Sequence, residues 1–291
     1  MFPFNPQELD PLAPLPAKDS RPTLRGHLEL TCSPDGRGRS RISRQSFCAP
    51  FHISKSYCDE HTLVVQVVNP TAGLFAGDAL RCEVNVESGA RLRVSTPAAT
   101  RIHTMTNGQA FQEQKFRVAN GAWLEFHPSP IIPQRNSRYR QKTEIEMEEG
   151  GELFVMETLA PGRVAHGECF QFTEIDWECN LRQAHRLIAR ERYILRPKDG
   201  ILPTLVSLFP QSYHASGYLV TEQVSDADDC WRQINELNSE DALVGASRLI
   251  SAGWNIKVLA RDSLSLESTI KSLRRILSAS LPQLRSDPRK L

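Results

Sequence analysis

The sequence predicts a mainly β protein: a layered, β-helix-like stack of strands with two α-helices in its C-terminal part. Three observations carry this. Short runs rich in β-branched and aromatic residues alternate apolar and polar side chains from Leu24 to about Leu195. Inside that region ESGARLRV from Glu87, ANGAWLEF from Ala119 and MEEGGELFV from Met147 repeat a glycine, then a small residue, then Leu followed by an apolar position. In the last 80 or so residues the hydrophobic period lengthens to that of a helix.

The first clear strand, LVVQVV over Leu63 to Val68, is apolar but for Gln66 and far too short to span a bilayer. It runs into VVNPTAGLFAGDAL, a loop of small residues that presents Asp78. A phosphate-binding loop would need Lys-Ser/Thr after its second glycine, whereas Gly77 is followed by a carboxylate that repels phosphate. Leu80 to Val86 then alternates, so the loop joins strand to strand, and Asp78 is displayed for something cationic or for a turn.

Further strands are expected over Ala90–Thr96, Phe111–Val118, Ala122–His127, Tyr139–Met147, Glu152–Thr158 and Arg186–Leu195. The last of these has a helical reading, but its Tyr, its two Ile and the following Arg196-Pro197 favour a strand that ends there. The repeat glycines at 89, 121 and 150 are 32 and 29 residues apart. Such spacing in an all-β region predicts stacked coils that each turn at a glycine and re-enter the sheet with Leu inward; three ordinary hairpin turns are the alternative.

SDADDCWRQINELN from Ser225 has acidic residues ahead of Trp231, Ile234 and Leu237, the pattern of an N-capped helix. After a strand over Trp254–Asp262, the segment SLSLESTIKSLRRILSASL places Leu266, Ile270, Leu273, Ile276 and Leu277 on one face of a second, more amphipathic helix. No linker separates these helices from the strands, although RPKDGILP over Arg196–Pro203 is a candidate hinge. Residues 1–22, with repeated prolines and no continuous apolar run, read as a disordered arm and not as a secretory signal. A single domain is expected over 23–291.

The 291 residues carry 35 basic and 34 acidic side chains, a net charge of +1 that gives no reason to expect nucleic acid or a membrane as partner. Seven cysteines, an odd number without any C-x-x-C spacing, read as reduced cytosolic thiols. The chain has no G-x-S-x-G elbow, no H-E-x-x-H and no nucleotide fingerprint. Candidate chemistry therefore rests on Asp78 and on METLAPGRVAHGECF, where Glu157, Arg163, His166 and Glu168 surround Pro161-Gly162. The strand parity of Glu157 directs it toward an interior, where it is either paired with an arginine such as Arg163 or open to a cation. His103 and His127 follow strand-like runs and are capable of ligating a borderline metal, though lone histidines more often pack or face solvent.

Taken in order, NPTAGLFAGD, SGARLRVSTPAATRIHTM, GAWLEFHPSPIIP, METLAPGRVAHGECF and GWNIKVLARD resemble the urease accessory protein UreD family, called UreH in some organisms, from about Leu24 to the C-terminus. The resemblance implies a non-enzymatic nickel-insertion chaperone of mostly β, layered fold. It implies assembly with UreF and with the GTPase UreG on apo-urease, in the cytoplasm. It also implies that Ni2+ passes through a water-filled tunnel in this subunit, with no cofactor tightly bound. On this match Asp78 is the carboxylate of the family's Gly-Asp pair, Glu157 is an acidic position before the Gly-Arg turn, and Glu168 is the glutamate of the Gly-Glu pair; all three become candidate nickel-path residues. Two departures are visible: family members commonly have Pro-Gly-Gly where Pro70-Thr71-Ala72-Gly73 stands, and often Thr-Thr-Gln where Ser95-Thr96-Pro97 stands. Neither removes a carboxylate. Two other classes stay open: a β-solenoid carbohydrate-active enzyme using two of the three carboxylates as acid and base, and a scaffold that docks partners without touching metal.

Overall fold

The computed structural model describes residues 23–199, 212–224, 229–250 and 253–285, together with Thr204 and Ser207. The expected N-terminal arm over 1–22 lies outside the described residues, and the candidate hinge leaves them after Asp199.

Eighteen strands follow one another in the described residues. They begin with β1 (Arg25–Pro34), β2 (Ser40–Phe47), β3 (His52–Ile53), β4 (Tyr57–Asp59), β5 (Thr62–Val68) and β6 (Ala79–Val86). The middle of the chain forms β7 (Arg91–Ser95), β8 (Thr100–Ile102), β9 (Ala110–Val118), β10 (Trp123–His127), β11 (Ile131–Pro133), β12 (Arg138–Met147) and β13 (Glu152–Leu159). The last are β14 (Glu174–Gln183), β15 (Arg186–Leu195), β16 (Tyr213–Val220), β17 (Ala242–Arg248) and β18 (Trp254–Ala260). Helices cover Cys230–Asn235 and Ser263–Leu277.

Two sheets result. The first runs β15-β14-β12-β9-β6-β1-β2, and the second runs β17-β18-β16-β13-β10-β7-β5-β3 with β4, β8 and β11 attached. Between β5 and β14 the chain crosses alternately from one sheet to the other, so each coil lays one long strand in each layer and neighbouring coils pair in parallel. The repeat seen in the sequence is the corner of these coils. Gly89, Gly121 and Gly150 all have φ near +70°, at 74°, 68° and 74°, a conformation open to glycine at little cost. The leucines that follow stack in register, Leu63 beside Leu92, Leu92 beside Leu124 and Leu124 beside Leu153. The turns link two layers of a solenoid-like stack, and the parallel pairing excludes the hairpin alternative.

Alternation then accounts for the layers. Inward residues of both sheets form one apolar core that includes Leu28, Val65, Leu92, Phe116, Phe126 and Val155. The outer face of the second sheet buries a second cluster under the helices, with Trp123, Phe154 and Leu219 from the sheet and Leu266, Ile270, Leu273 and Leu277 from the helix. This helix is capped by the residue read as the end of the preceding strand: the Asp262 carboxylate accepts the Ser265 N–H at 2.8 Å. Asp229, at the start of the shorter helix, makes no side-chain cap, and Ser225 and the next three residues lie outside the described ones.

A charged clamp fixes the helical layer. Glu125 of β10, fully buried, accepts from the Arg93 Nε at 2.7 Å and from Arg274 of the long helix at 2.5 Å. Arg93 also donates to the Gln283 carbonyl at 2.6 Å and Arg274 to the Leu284 carbonyl at 3.3 Å, so the same pair holds the short turn after the helix.

Candidate functional site

Of the three carboxylates singled out in the sequence, Asp78 and Glu168 lie in connections where the chain passes from the second sheet back to the first, between β5 and β6 and between β13 and β14, whereas Glu157 lies within β13. Their surroundings differ. Asp78 is 5% exposed, and each of its oxygens takes a backbone N–H at 2.8 Å, one from Leu24 and one from Phe75. It caps its own turn and ties the start of β1 to the loop. The small residues around it serve close packing: at Gly73, φ is +140° and a Cβ would sit 2.3 Å from the Arg101 carbonyl oxygen. Glu168 is gripped by the Arg163 guanidinium at 2.8 and 2.5 Å and accepts the Arg135 N–H at 3.2 Å. The hydrogen bonds from Arg163, with further help from Arg135, hold its carboxyl below the ordinary glutamate range. The arginine considered for Glu157 is therefore the partner of Glu168, five residues away, because the single helical turn Val164–His166 and the left-handed Gly167 fold the chain back, with the Glu168 N–H donating to the Arg163 carbonyl.

Glu157 sits elsewhere. It belongs to β13, points between the sheets, and is 7% exposed. Its Oε1 accepts the side-chain amides of Gln114 at 3.0 Å and Gln141 at 2.7 Å, and the Trp177 indole adds a third neutral donor. No cation pairs with it among the described residues. Burial pushes the carboxyl up to about 7, against the lowering influence of Gln114, Gln141 and Trp177, while the negative charge of Glu191 raises it further. Beside it is a cavity of about 50 Å3, lined in part by Gln112, Gln114, Gln141, Glu157, Thr158 and Trp177. That volume admits a few water molecules. The Thr158 hydroxyl is buried and has no hydrogen-bond partner among the described residues.

The polar interior continues past Glu157. Across β13, Ser216 of β16 pairs in register with Glu157, and Lys257 of β18 pairs in register with Ser216. On the facing sheet Gln114, Thr143, Cys179 and Glu191 occupy one continuous register line through β9, β12, β14 and β15. Glu191 closes the gap between the layers, bonding Lys257, the Ser216 hydroxyl at 2.8 Å and the Tyr218 hydroxyl at 3.3 Å. Burial pushes Glu191 up, but the ammonium of Lys257 and the hydrogen bonds from Lys257 and Ser216 outweigh it and leave the carboxyl below its usual range. His214 is pushed down to about 4 by burial and by Lys257, so it is neutral at physiological pH. A lane of polar groups thus runs through a layer that would otherwise be apolar.

Gln114, Gln141, Trp177, Glu191, Ser216 and Lys257 were not recognised in the sequence. The available signal was parity: Gln114, Gln141 and Thr143 occupy inward positions of otherwise apolar alternation. His103 bonds the Ala72 carbonyl at 2.9 Å and stacks on Phe75, while His127 is buried at the end of β10. Among the described residues no group of three or more His, Cys, Asp or Glu is placed to hold a metal ion, and no helix is long and apolar enough to cross a membrane.

Comparison with known proteins identifies the family. The model of the UreD urease accessory protein family matches residues 24–290. The chain belongs to the UreD family. It is 41% identical over 270 residues to the urease accessory protein UreD of Opitutus terrae, covering 91% of this chain and 98% of that one. The UreD protein of Acetivibrio thermocellus is 33% identical, covering 82% of this chain and 92% of its own. That of Mycolicibacterium gilvum is 30% identical, with 84% and 91% covered. Membership makes the chain an accessory protein in urease maturation, not a catalytic enzyme, which sets aside the carbohydrate-active reading.

Proposed function

We propose that this UreD-family chain acts as one folded unit over residues 23–291, in the cytoplasm, binding apo-urease together with UreF and UreG and passing Ni2+ to the urease active site through its polar interior. The reading rests on Glu157: a buried carboxylate held only by neutral donors, next to space for water. Isolating a carboxylate from cations is costly unless something charged arrives to offset the cost. Ni2+ binds oxygen donors and imidazole well, and a transit site must release its ion, so a single carboxylate with amide neighbours suits passage better than a closed cage. An arriving divalent cation would displace the Glu157 proton. Asp78 and Glu168, whose oxygens are already bonded, contribute to the path by holding its mouth in shape.

A purely structural docking role remains the competing reading, favoured by the bonding of Asp78 and Glu168. The assembly is tested by co-purification of the chain with UreF, UreG and apo-urease, followed by urease activation on addition of nickel and GTP. Activation that depends on all three accessory chains is expected. Full activation without this chain would overturn the reading.

A further inference from the structure

His27 of β1 and Cys48, which directly follows β2, meet at the corner of the first sheet. The Cys48 N–H donates to the His27 carbonyl at 3.0 Å, and this brings the two side chains together. Cys48 Sγ lies 3.1 Å from His27 Nδ1, accepts the His27 backbone N–H at 3.4 Å, and is 3.6 Å from the Arg25 carbonyl oxygen. The other ring nitrogen, Nε2, is 3.3 Å from the Ser46 hydroxyl, which orients the imidazole. Both residues are only half-buried; the chain neighbours of Cys48, Phe47 and Ala49, are exposed, while those of His27, Gly26 and Leu28, are buried. Nearby charges are engaged with one another: Arg81, opposite His27 in register, pairs with Glu83 at 2.5 Å, and Glu29 pairs with Arg44 at 3.8 Å.

The remaining thiols are placed differently. Cys32, Cys82, Cys179 and Cys230 are buried. Burial pushes Cys32 and Cys82 up to about 12 and raises Cys169 and Cys179 as well. Cys58 is exposed, its sulfur donates to the Ser40 carbonyl at 3.3 Å, and no histidine among the described residues hydrogen-bonds to it.

We propose that Cys48 and His27 form a thiol–imidazole pair that reacts with low-molecular-weight disulfides, making Cys48 a site of reversible thiol modification. The Cys48 proton passes to His27 Nδ1, and the His27 backbone N–H stabilises the thiolate. The thiolate forms a bond to one sulfur of the disulfide as the original S–S bond breaks. The second sulfur leaves with the electron pair and takes up the proton, so one disulfide and one thiol yield a mixed disulfide and one free thiol.

The test uses the full chain and two probes, Ellman's reagent and glutathione disulfide, with the modified cysteine identified by peptide mass spectrometry. Cys48 is expected to react about tenfold faster than Cys58, and His27→Ala and His27→Asn should each slow Cys48 by about tenfold without changing the melting temperature. The Asn variant retains a polar side chain of similar size but cannot take the proton, so it separates proton acceptance from packing. Cys58 reacting as fast as Cys48 in the wild-type chain would overturn the proposal, a comparison that needs no variant to fold. Wild-type reactivity of Cys48 in either His27 variant would overturn it as well.

Discussion

Replacing Glu157 with Gln isolates the physical cost of its buried charge. The amide keeps the shape of the carboxyl and retains one oxygen for the Gln114 and Gln141 donors, but it cannot ionise. Burial raises the carboxyl from an ordinary 4.5 to about 7, so between those values the folded chain holds a proton that the unfolded chain has released. Wild-type stability therefore falls as pH rises through that window, and the whole cost is present above it. At about 1.4 kcal/mol for each pH unit between the two values, the cost approaches roughly 3 kcal/mol. For a chain of this size that corresponds to a melting-temperature difference on the order of 6 °C or more. Thermal and urea unfolding of both proteins from about pH 4 to about pH 8 should show the variant close to wild type at the acid end and increasingly more stable above neutrality. A stability difference independent of pH, or one that favours wild type at the alkaline end, would refute the assignment of a desolvated, cation-free carboxylate at this position.

Other replacements probe the frame around the site. Asp78→Ala removes the acceptor of the Leu24 and Phe75 N–H groups; it should cost about 2 kcal/mol and speed hydrogen exchange at those two amides. Glu125→Ala leaves Arg93 and Arg274 buried without their shared partner. It should cost on the order of 3 to 5 kcal/mol, with loss of hydrogen-exchange protection across Ser263–Leu277. Gly73→Ala forces a side chain into a positive-φ position 2.3 Å from the Arg101 carbonyl oxygen, and should give a lower yield of soluble protein and a lower melting temperature than Ala72→Gly, measured side by side.

The strands were legible because alternation is local. Phe111–Val118 and Tyr139–Met147 announce which face is buried within a few residues, and the observed strands begin only one residue earlier, at Ala110 and Arg138. The coil architecture was legible through Gly89, Gly121 and Gly150, because the same positive-φ corner recurs at each layer. What the sequence hid was partnership across the layers. Glu125 and Arg274 are 149 positions apart and Glu191 and Lys257 are 66 apart, and no local pattern links them. Arg163 lay near both Glu157 and Glu168 in sequence, and what decides between them is the single helical turn Val164–His166, which folds Glu168 back onto Arg163. Asp78 stood out as a carboxylate displayed for a cation or for a turn; its Phe75 donor is local and belongs to the turn, whereas its Leu24 donor is invisible until the start of β1 is brought alongside the loop.

Interior passage of nickel is tested most directly by the nickel content of urease matured with wild-type chain, Glu157→Gln or Glu157→Asp, after each variant is shown to assemble with UreF, UreG and apo-urease. The account predicts a several-fold lower nickel content with the Gln variant, an intermediate value with the Asp variant, which keeps the charge but shortens its reach, and intact assembly in both. Wild-type nickel content in urease matured with Glu157→Gln would contradict it.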